Sequence, residues 1–246
     1  MISPVSRMFQ IPQMFRPTVS SILAKTIGRV NLERPADGLT SIAYWARFSR
    51  WCKLHPVAPS GNGHGRKDRG WLYESVVAKE ELNSIPISYL EFGVYRGESL
   101  FWWLNRIDHP QSRFVGFDTF TGLPERWRAT EPAGWFNAQG EIPETKDSRC
   151  SFEVGLFQDT LSRFVISNDL TRRLVVNLDA DMFTSTLFVL TTLGRYLKPG
   201  DILFFDEFSC PLDEFRAFEE FVRSFRVKYQ VLGAVHGYTR VGIKIV

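Results

Sequence analysis

The chain has 246 residues, of which 44% are hydrophobic and 23% are charged, and its formal net charge is +3 at pH 7. These values are typical of a soluble globular protein with one large domain or two small ones. The basic residues are scattered, which argues against a nucleic-acid partner, because such binders carry a dense basic stripe with interleaved aromatic residues. Three distant cysteines lack the spacing of a zinc site or a disulfide framework, so we expect a reducing, cytoplasmic location.

The first 32 residues contain four basic residues and no acid. Together with several serines, this composition is found in organellar transit peptides. Apolar residues at helical spacing are equally compatible with a basic amphipathic arm that packs on the domain, on a second subunit or on a membrane surface. We favour an arm or lid.

The polar, glycine-rich residues 59–70 indicate a flexible linker. We therefore expect a helical arm and linker at residues 1–70 and the main domain at 71–246. No apolar run approaches the roughly 18 residues of a membrane span, so no transmembrane segment is expected. We also expect a homo-oligomer.

From Trp71 onward, short apolar runs alternate with amphipathic stretches. The apolar runs predict strands at 89–92, 114–117, 174–178 and 202–205. The amphipathic stretches predict helices at 71–82, 98–107, 160–166, 184–196 and 213–225. This alternation is typical of an α/β fold with a doubly wound parallel sheet. Two further β-rich runs, at 229–235 and 238–246, predict an antiparallel strand pair at the end of that sheet.

Residues 125–150 interrupt this alternation. The segment contains Trp127, Trp135 and Phe136 but shows no helical or strand periodicity. A loop of this length inside a compact domain is usually functional or disordered, and the aromatic residues argue against disorder. We predict an insertion that covers the substrate, and an ordered structural insertion is the alternative.

Two groups of acidic residues follow predicted strands. Asp179 and Asp181 come after the strand at 174–178, and Asp206 and Glu207 come after the next one. Adjacent parallel strands lie about 4.8 Å apart, so acids at their carboxyl ends can share one ion. Helix capping would explain Asp181 or Asp206 alone. Acids at the ends of two buried strands carry a desolvation cost that a cation or hydrogen-bond donors must offset, which favours a divalent-cation site.

The segment from Glu91 to Ser99 follows the first predicted strand. Its glycines, Gly93 and Gly97, let the backbone approach a ligand, and the next helix presents its amide N–H groups to an anionic group. The pyrophosphate of a dinucleotide and the methionine portion of S-adenosylmethionine are both compatible with such a loop. Bulky residues stand where a pyrophosphate would need small ones, and Glu91 suits the positively charged end of S-adenosylmethionine, which we favour.

Two further residues point to an adenosyl group with a sulfonium. Asp118 lies 27 residues after Glu91, where an acid can accept both ribose hydroxyls, although it can also form a turn with Thr119. Tyr95 is the favoured aromatic contact for the sulfonium, since aromatic rings attract cations. Trp102 and Trp103 are consecutive helical residues that cannot share one face, so we expect at least one of them in the core or at an interface.

Five segments, in order and at similar spacing over residues 71–246, resemble the motif series of the macrocin and mycinamicin O-methyltransferase family. The segments are 89–99 (YLEFGVYRGES), 116–124 (GFDTFTGLP), 155–161 (GLFQDTL), 178–186 (LDADMFTST) and 198–207 (KPGDILFFDE). The resemblance implies a Rossmann-like class I methyltransferase fold that binds S-adenosylmethionine. It also implies Mg²⁺ held by three carboxylates, and methylation of a hydroxyl on a sugar or similar diol in a small molecule or glycan.

Carried over residue by residue, the resemblance places the metal ligands at Asp179, Asp206 and Glu207. Glu207 stands where the family has a second Asp, and Ala180 replaces the usual Gly, so cation affinity or choice can differ. Asp179 is also our candidate to accept the proton of the acceptor hydroxyl. His236 is a candidate second base, although a lone histidine near a turn is more often structural.

Two other classes of protein compete with a metal-dependent O-methyltransferase. A non-catalytic S-adenosylmethionine-binding partner would have lost part of its site, whereas the acidic residues here are complete. An NAD-dependent oxidoreductase would carry a close glycine pair in the loop after the first strand and residues suited to hydride transfer, and neither is evident.

Overall fold

The structure, a computed structural model, describes residues 33–57 and 67–246 of the chain. The chain divides into two compact units, residues 1–43 and 44–246. In the first unit, the described residues form the beginning of helix α1 (Glu33–Leu54). The predicted arm up to residue 32 and most of the predicted linker lie outside the described residues. The predicted domain boundary at residue 70 stays a prediction.

The second unit is built from helices and strands that alternate along the chain. After α1 they are α2 (Lys67–Lys79), a 3-10 turn (Leu82–Ser84), β1 (Ile87–Phe92), α3 (Glu98–Arg106), β2 (Arg113–Asp118), β3 (Cys150–Val154), α4 (Phe157–Ser167), β4 (Arg173–Leu178), α5 (Phe183–Leu193), β5 (Ile202–Phe205), α6 (Glu214–Phe225), β6 (Tyr229–Val235) and β7 (Arg240–Ile245). The strands form one sheet in the order β3-β2-β1-β4-β5-β7-β6. Strands β1 to β5 run parallel, and β7 is antiparallel to both β5 and β6. The predicted doubly wound sheet with a terminal antiparallel pair is confirmed.

Strand β3 is the element that the sequence does not predict. It forms the edge of the sheet beside β2, and its residues are partly buried or exposed. A strand in this position needs no continuous apolar run, because little of its surface leaves water. Its sequence therefore reads as the end of the preceding loop.

The core lies on both faces of the sheet, which explains why the central strands are largely apolar. Side chains alternate between the two faces along each strand. In β1, Leu90 and Phe92 pack on one face with helices α4, α5 and α6. Tyr89 packs on the other face with α2 and α3. Glu91, the next residue on Tyr89's side, is therefore buried beneath α2 and α3.

From Tyr44 onward, helix α1 packs against α6. Phe48 meets Phe215 with ring centroids 5.2 Å apart, and the Trp51 indole N–H donates to the Tyr229 hydroxyl at 2.8 Å. Neither α1 nor any other helix in the described residues is long and apolar enough to cross a membrane.

Candidate active site

The carboxyl ends of four neighbouring strands bring the predicted site residues together. Glu91 lies near the end of β1, and Asp118 is the last residue of β2. Asp179 directly follows β4, and Asp206 directly follows β5. Because parallel strands end at the same edge of the sheet, these acids face one cavity. Eight of the ten predicted site residues line it: Glu91, Gly93, Tyr95, Ser99, Asp118, Asp179, Asp206 and Glu207.

The other two predicted residues, Gly97 and His236, are not among the described residues that line this cavity. Gly97 precedes α3, and a Cβ atom there would meet Phe101 and Pro143. His236 lies in the turn between β6 and β7, where its carbonyl oxygen accepts hydrogen bonds from Thr239. Their roles in cofactor binding and proton transfer stay predictions.

Gly93 lets the cofactor loop, residues 93–97, pass against the segment that follows β4. Its φ is +92°, and a Cβ atom at this position would lie 1.9 Å from the carbonyl oxygen of Asp179. The N–H of Asp179 also donates to the carbonyl oxygen of Phe92 at 2.9 Å. Only glycine fits both this backbone conformation and this close approach. The cofactor loop and Asp179 are therefore held in direct contact.

The side chain of Asp118 holds the cofactor loop in shape. Its Oδ2 accepts hydrogen bonds from the backbone N–H groups of Val94 and Tyr95 at 2.7 and 2.8 Å. Its Oδ1 accepts from the N–H of Phe120 at 2.8 Å, which is a turn of the kind considered for this residue. Carboxylate oxygens have further lone pairs, so these bonds leave acceptor capacity. The ribose contact of Asp118 stays a prediction.

Glu91 is a buried carboxyl at the floor of the cavity. It is 1% exposed, and it accepts a hydrogen bond from the hydroxyl of Tyr89, two residues earlier on the same face of β1. Burial raises the pKa of Glu91 to about 8, because the charged form loses its hydration. A cation bound next to this carboxyl would favour its ionised form.

Four carboxylates, Asp179, Asp181, Asp206 and Glu207, follow β4 and β5 and line the cavity. We call them the acid cluster. Burial, followed by the negative charge of Asp206, raises the pKa of Asp179 to about 7. Burial, followed by the charge of Asp179, raises the pKa of Asp181 to about 8. In both cases the loss of hydration disfavours the charged form most, and the neighbouring acid adds to that effect.

Two arginines contact the acid cluster. The Arg69 guanidinium, on α2, contacts Asp206 at 2.5 Å and Asp179 at 3.1 Å. Its Nη1 also donates to the Ser99 hydroxyl at 2.5 Å. Arg240, the first residue of β7, donates from Nε to Asp206 Oδ1 at 2.7 Å. The carboxylate of Asp206, which is 5% exposed, therefore has a guanidinium on each oxygen.

A buried glutamate, Glu214, supports the backbone of the acid cluster. Glu214, in the first turn of α6, is fully buried, and its Oε2 accepts a hydrogen bond from the backbone N–H of Glu207 at 2.9 Å. Burial, followed by the charge of Asp206, raises the pKa of Glu214 well above its usual value. Glu214 fixes the backbone of Glu207 and so helps to orient that side chain.

Arg69, Arg240 and Glu214 were not predicted from the sequence as site residues. Arg69 lies at the end of a polar stretch that reads as linker, and Glu214 reads as an ordinary acid in the first turn of a helix. Arg240 did offer a signal, because a charged residue begins a strand that the fold places beside β5.

The insertion at 125–150 is ordered and is anchored next to the acid cluster. Thr184, on α5, donates to the Glu125 carboxylate at 2.8 Å. Arg128 stacks 3.6 Å above the Trp127 ring and donates to the Cys210 sulfur at 2.8 Å. Cys210 lies three residues after Glu207, so the insertion reaches the same edge of the cavity as the acids.

Two aromatic residues of the insertion line the cavity. They are Trp127 and Phe136, and Phe136 also meets the ring of Tyr95 in the cofactor loop at 6.0 Å. Trp135 is 47% exposed and is not among the residues that line the cavity. The insertion therefore faces both the cofactor loop and the acid cluster. Its role in covering the acceptor stays a prediction.

The acid cluster suits a divalent cation in its donor atoms, since oxygen ligands are those that Mg²⁺ prefers. Within residues 33–57 and 67–246, however, no three His, Cys, Asp or Glu side chains converge closely enough to hold a metal ion. The guanidinium of Arg69 contacts both Asp179 and Asp206. Cation binding would therefore require these side chains to rearrange.

Comparisons with known proteins agree with this geometry. Residues 90–208 match a family model described as a methyltransferase domain. The structure is similar to that of CalS11, a calicheamicin methyltransferase, with a TM-score of 0.57 and 20% identity over 82% of this chain and 91% of that chain. The O-methyltransferase NovP also gives a TM-score of 0.57 and 20% identity, over 72% of this chain and 78% of that chain. The D160 form of CmcI with Mg and SAM gives a TM-score of 0.50 and 19% identity, over 80% and 84% of the two chains. No curated protein matches the chain by sequence.

These similarities define the class of protein. The sheet has the Rossmann-like fold of the class I methyltransferases, and residues 90–208 match a methyltransferase domain. The predicted class of enzyme, an S-adenosylmethionine-dependent methyltransferase, is confirmed by the domain match.

Proposed function

We propose that this protein moves the methyl group of S-adenosylmethionine to a hydroxyl of a sugar or another diol-containing small molecule or glycan, with Mg²⁺ bound by Asp179, Asp206 and Glu207. The observation that carries the proposal is that the cofactor loop and the acid cluster line one cavity. The motif series shared with the macrocin and mycinamicin O-methyltransferase family supports the same reaction. CalS11, described as a TDP-rhamnose 3'-O-methyltransferase, supports a sugar hydroxyl as the acceptor.

In this proposal, the cofactor loop binds S-adenosylmethionine and the acid cluster binds the cation and the acceptor hydroxyl. The cofactor supplies an electrophilic methyl group, and the cation lowers the pKa of the acceptor hydroxyl. Asp179 contacts Gly93 of the cofactor loop and belongs to the acid cluster, so it lies between the two halves of the cavity. This position suits a general base, and we assign it the hydroxyl proton. His236 is the weaker candidate, since it is not among the residues that line the cavity.

A screen for methyl transfer tests the proposed function. The protein would be incubated with S-adenosylmethionine, Mg²⁺ and a panel of nucleotide sugars and glycosylated small molecules, and products would be read by mass spectrometry. A methylated sugar hydroxyl that disappears in chelator supports the full proposal. Methyl transfer that is unaffected by chelator would show that the reaction uses a general base and no cation. Binding of cofactor with no transfer to any acceptor would favour the non-catalytic partner, and binding of NAD instead would favour the oxidoreductase.

We further propose that the protein is a cytoplasmic homo-oligomer whose residues 1–70 form an arm and linker. A second subunit is one of the surfaces on which a basic amphipathic arm can pack. Light scattering of the full chain, compared with a variant that begins at residue 33, tests whether the first 32 residues change the oligomeric state.

Replacing Glu91 tests the cofactor end of the cavity. We propose that this carboxylate faces the ammonium of the cofactor's methionine portion. Below a pH of about 8 the free carboxyl is protonated, so binding of a cation must release a proton. Wild-type affinity for S-adenosylhomocysteine should therefore rise with pH, by up to about tenfold per unit, and level off above that pKa.

Glu91→Gln should remove this pH dependence and weaken binding about tenfold above that pKa, because a neutral amide cannot pair with an ammonium. Calorimetry in chelator measures both effects without a contribution from divalent cations. Glu98→Gln is the matched control, since Glu98 also lines the cavity and its variant should keep the wild-type profile. A Glu91→Gln profile that still rises with pH would assign the titration to another group.

Trp127 tests whether the insertion covers the acceptor. Its ring lines the cavity beside the acid cluster, so Trp127→Ala should raise the acceptor KM about tenfold by removing apolar contact area. Cofactor affinity should stay within about twofold, because Trp127 belongs to the acceptor side. Trp135→Ala is the control and should behave like wild type. Equal kinetics for the two variants would make the segment a structural insertion.

A further inference from the structure

Arg69 joins the two halves of the cavity through one guanidinium. Its Nη2 lies 2.5 Å from Asp206 Oδ2, and its Nη1 lies 3.1 Å from Asp179 Oδ2. The same Nη1 donates to the hydroxyl of Ser99, which is in the first turn of α3 next to the cofactor loop. Arg69 thus bridges two of the three proposed cation ligands and contacts the cofactor side as well.

Arg69 and Arg240 differ in how they are held. Arg240 belongs to β7, an inner strand of the sheet, and contacts Asp206 from the side of that strand. Arg69 is the third residue of α2, and 20% of its side chain is exposed. Its Nε is buried and has no hydrogen-bond partner among the described residues, which costs free energy. Arg240 is therefore built into the sheet, whereas Arg69 lies on a helix and has one N–H group without an acceptor among the described residues.

We propose that Arg69 is an exchangeable counter-ion of the acid cluster. It bridges Asp179 and Asp206 when no divalent cation is bound, and it withdraws from both carboxylates when a cation binds. A guanidinium and a divalent cation repel each other at such short range and compete for the same carboxylate oxygens. This inference rests on the cation site of the proposed function and adds a competitor from the chain itself.

The exchange has a consequence for the cofactor side. When the guanidinium withdraws, the Ser99 hydroxyl loses its donor and becomes available to a bound ligand. Cation binding also has to replace the ion pairs of Arg69, so the affinity for the cation is lower than the carboxylates alone would give. A variant without the guanidinium should therefore bind a divalent cation more tightly than the wild type.

The experiment is a titration of the full chain with Mn²⁺, in which the electron paramagnetic resonance signal of the free ion is measured. Arg69→Gln should bind Mn²⁺ about tenfold more tightly than wild type, because a neutral amide does not compete for the carboxylates. Arg69→Lys keeps the positive charge and should lie between the two. Arg47→Gln is the matched control, since Arg47 pairs with Glu219 on an exposed surface and its variant should bind Mn²⁺ like wild type.

Ser99→Ala separates competition from a general change in charge. It removes one partner of Arg69 and leaves every charge in place, so Mn²⁺ binding should tighten about threefold. In the Arg69→Gln background the same change should have no effect, because the contact is already absent. Thermal unfolding of each variant without Mn²⁺ confirms that it is folded. If Arg69→Gln does not fold, Arg69→Lys takes its place in the comparison with wild type.

The outcomes distinguish this inference from the proposed function. Equal or weaker Mn²⁺ binding by Arg69→Gln would overturn the exchange and leave the cation site standing. If neither wild type nor Arg69→Gln binds Mn²⁺ while methyl transfer proceeds in chelator, the cation site fails and the exchange fails with it.

Discussion

Asp179→Asn should lower methyl transfer by about a thousandfold while affinity for S-adenosylhomocysteine stays within about twofold. Asn has nearly the shape of Asp but cannot accept the hydroxyl proton, and its neutral oxygen is a weaker cation ligand. Asp206→Asn should cause a similar loss, because Asp206 is a proposed ligand with the same placement after a strand. Single-turnover assays with an acceptor from the screen measure the chemical step directly.

Asp181→Asn is the matched control for this prediction. Asp181 belongs to the same acid cluster but is not a proposed ligand or base, and its φ of +59° is a conformation that Asn tolerates. Its variant should lose less than about tenfold in rate, because a carboxyl with a pKa of about 8 is mostly uncharged at neutral pH, like the amide that replaces it. Comparable losses for Asp179→Asn and Asp181→Asn would show that the rate does not depend on a role specific to Asp179.

Gly93→Ala should destabilise the protein by about 3 kcal/mol or more. The new Cβ would lie 1.9 Å from the carbonyl oxygen of Asp179, which is backbone and cannot turn away as a side chain can. The overlap is relieved only if the end of β1 or the segment after β4 moves. Urea denaturation gives the change in the free energy of unfolding.

Gly140→Ala measures the cost of placing alanine in a left-handed backbone conformation without any steric overlap. Gly140 also has a positive φ, +77°, but a Cβ atom there would meet nothing within 4 Å. We expect a loss of about 1 kcal/mol, which is the usual cost of a left-handed conformation for alanine. If both alanine variants lose the same stability, the close approach of Gly93 and Asp179 is not what requires glycine.

The sequence was sufficient to predict the central strands because burial on both faces leaves a continuous apolar run, as in Ile202–Phe205. Strand β3 has no such apolar run, because its residues stay partly in water at the edge of the sheet. The acids after β4 and β5 could also be predicted, since the order of a parallel sheet alone brings them to one edge.

The remaining site residues depend on packing between elements that are distant in the sequence. Arg69 is 137 residues from Asp206, and Arg240 is 34 residues from it. Nothing in their local sequence indicates which acid each will pair with. Likewise, Trp127 and Trp135 belong to one irregular segment without periodicity, so only the folded insertion shows which of them faces the cavity.

The order of strands also implies an order of assembly. β6 precedes β7 in the chain, but it joins the sheet only through β7, which lies between β5 and β6. The hairpin of the two strands forms from local contacts, whereas its docking on β5 closes a longer loop and is expected later. Until that docking occurs, Asp206 lacks the guanidinium of Arg240. The electrostatic balance of the acid cluster is therefore completed by a late folding event, and a partly folded chain would carry the acids without one of their built-in counter-charges.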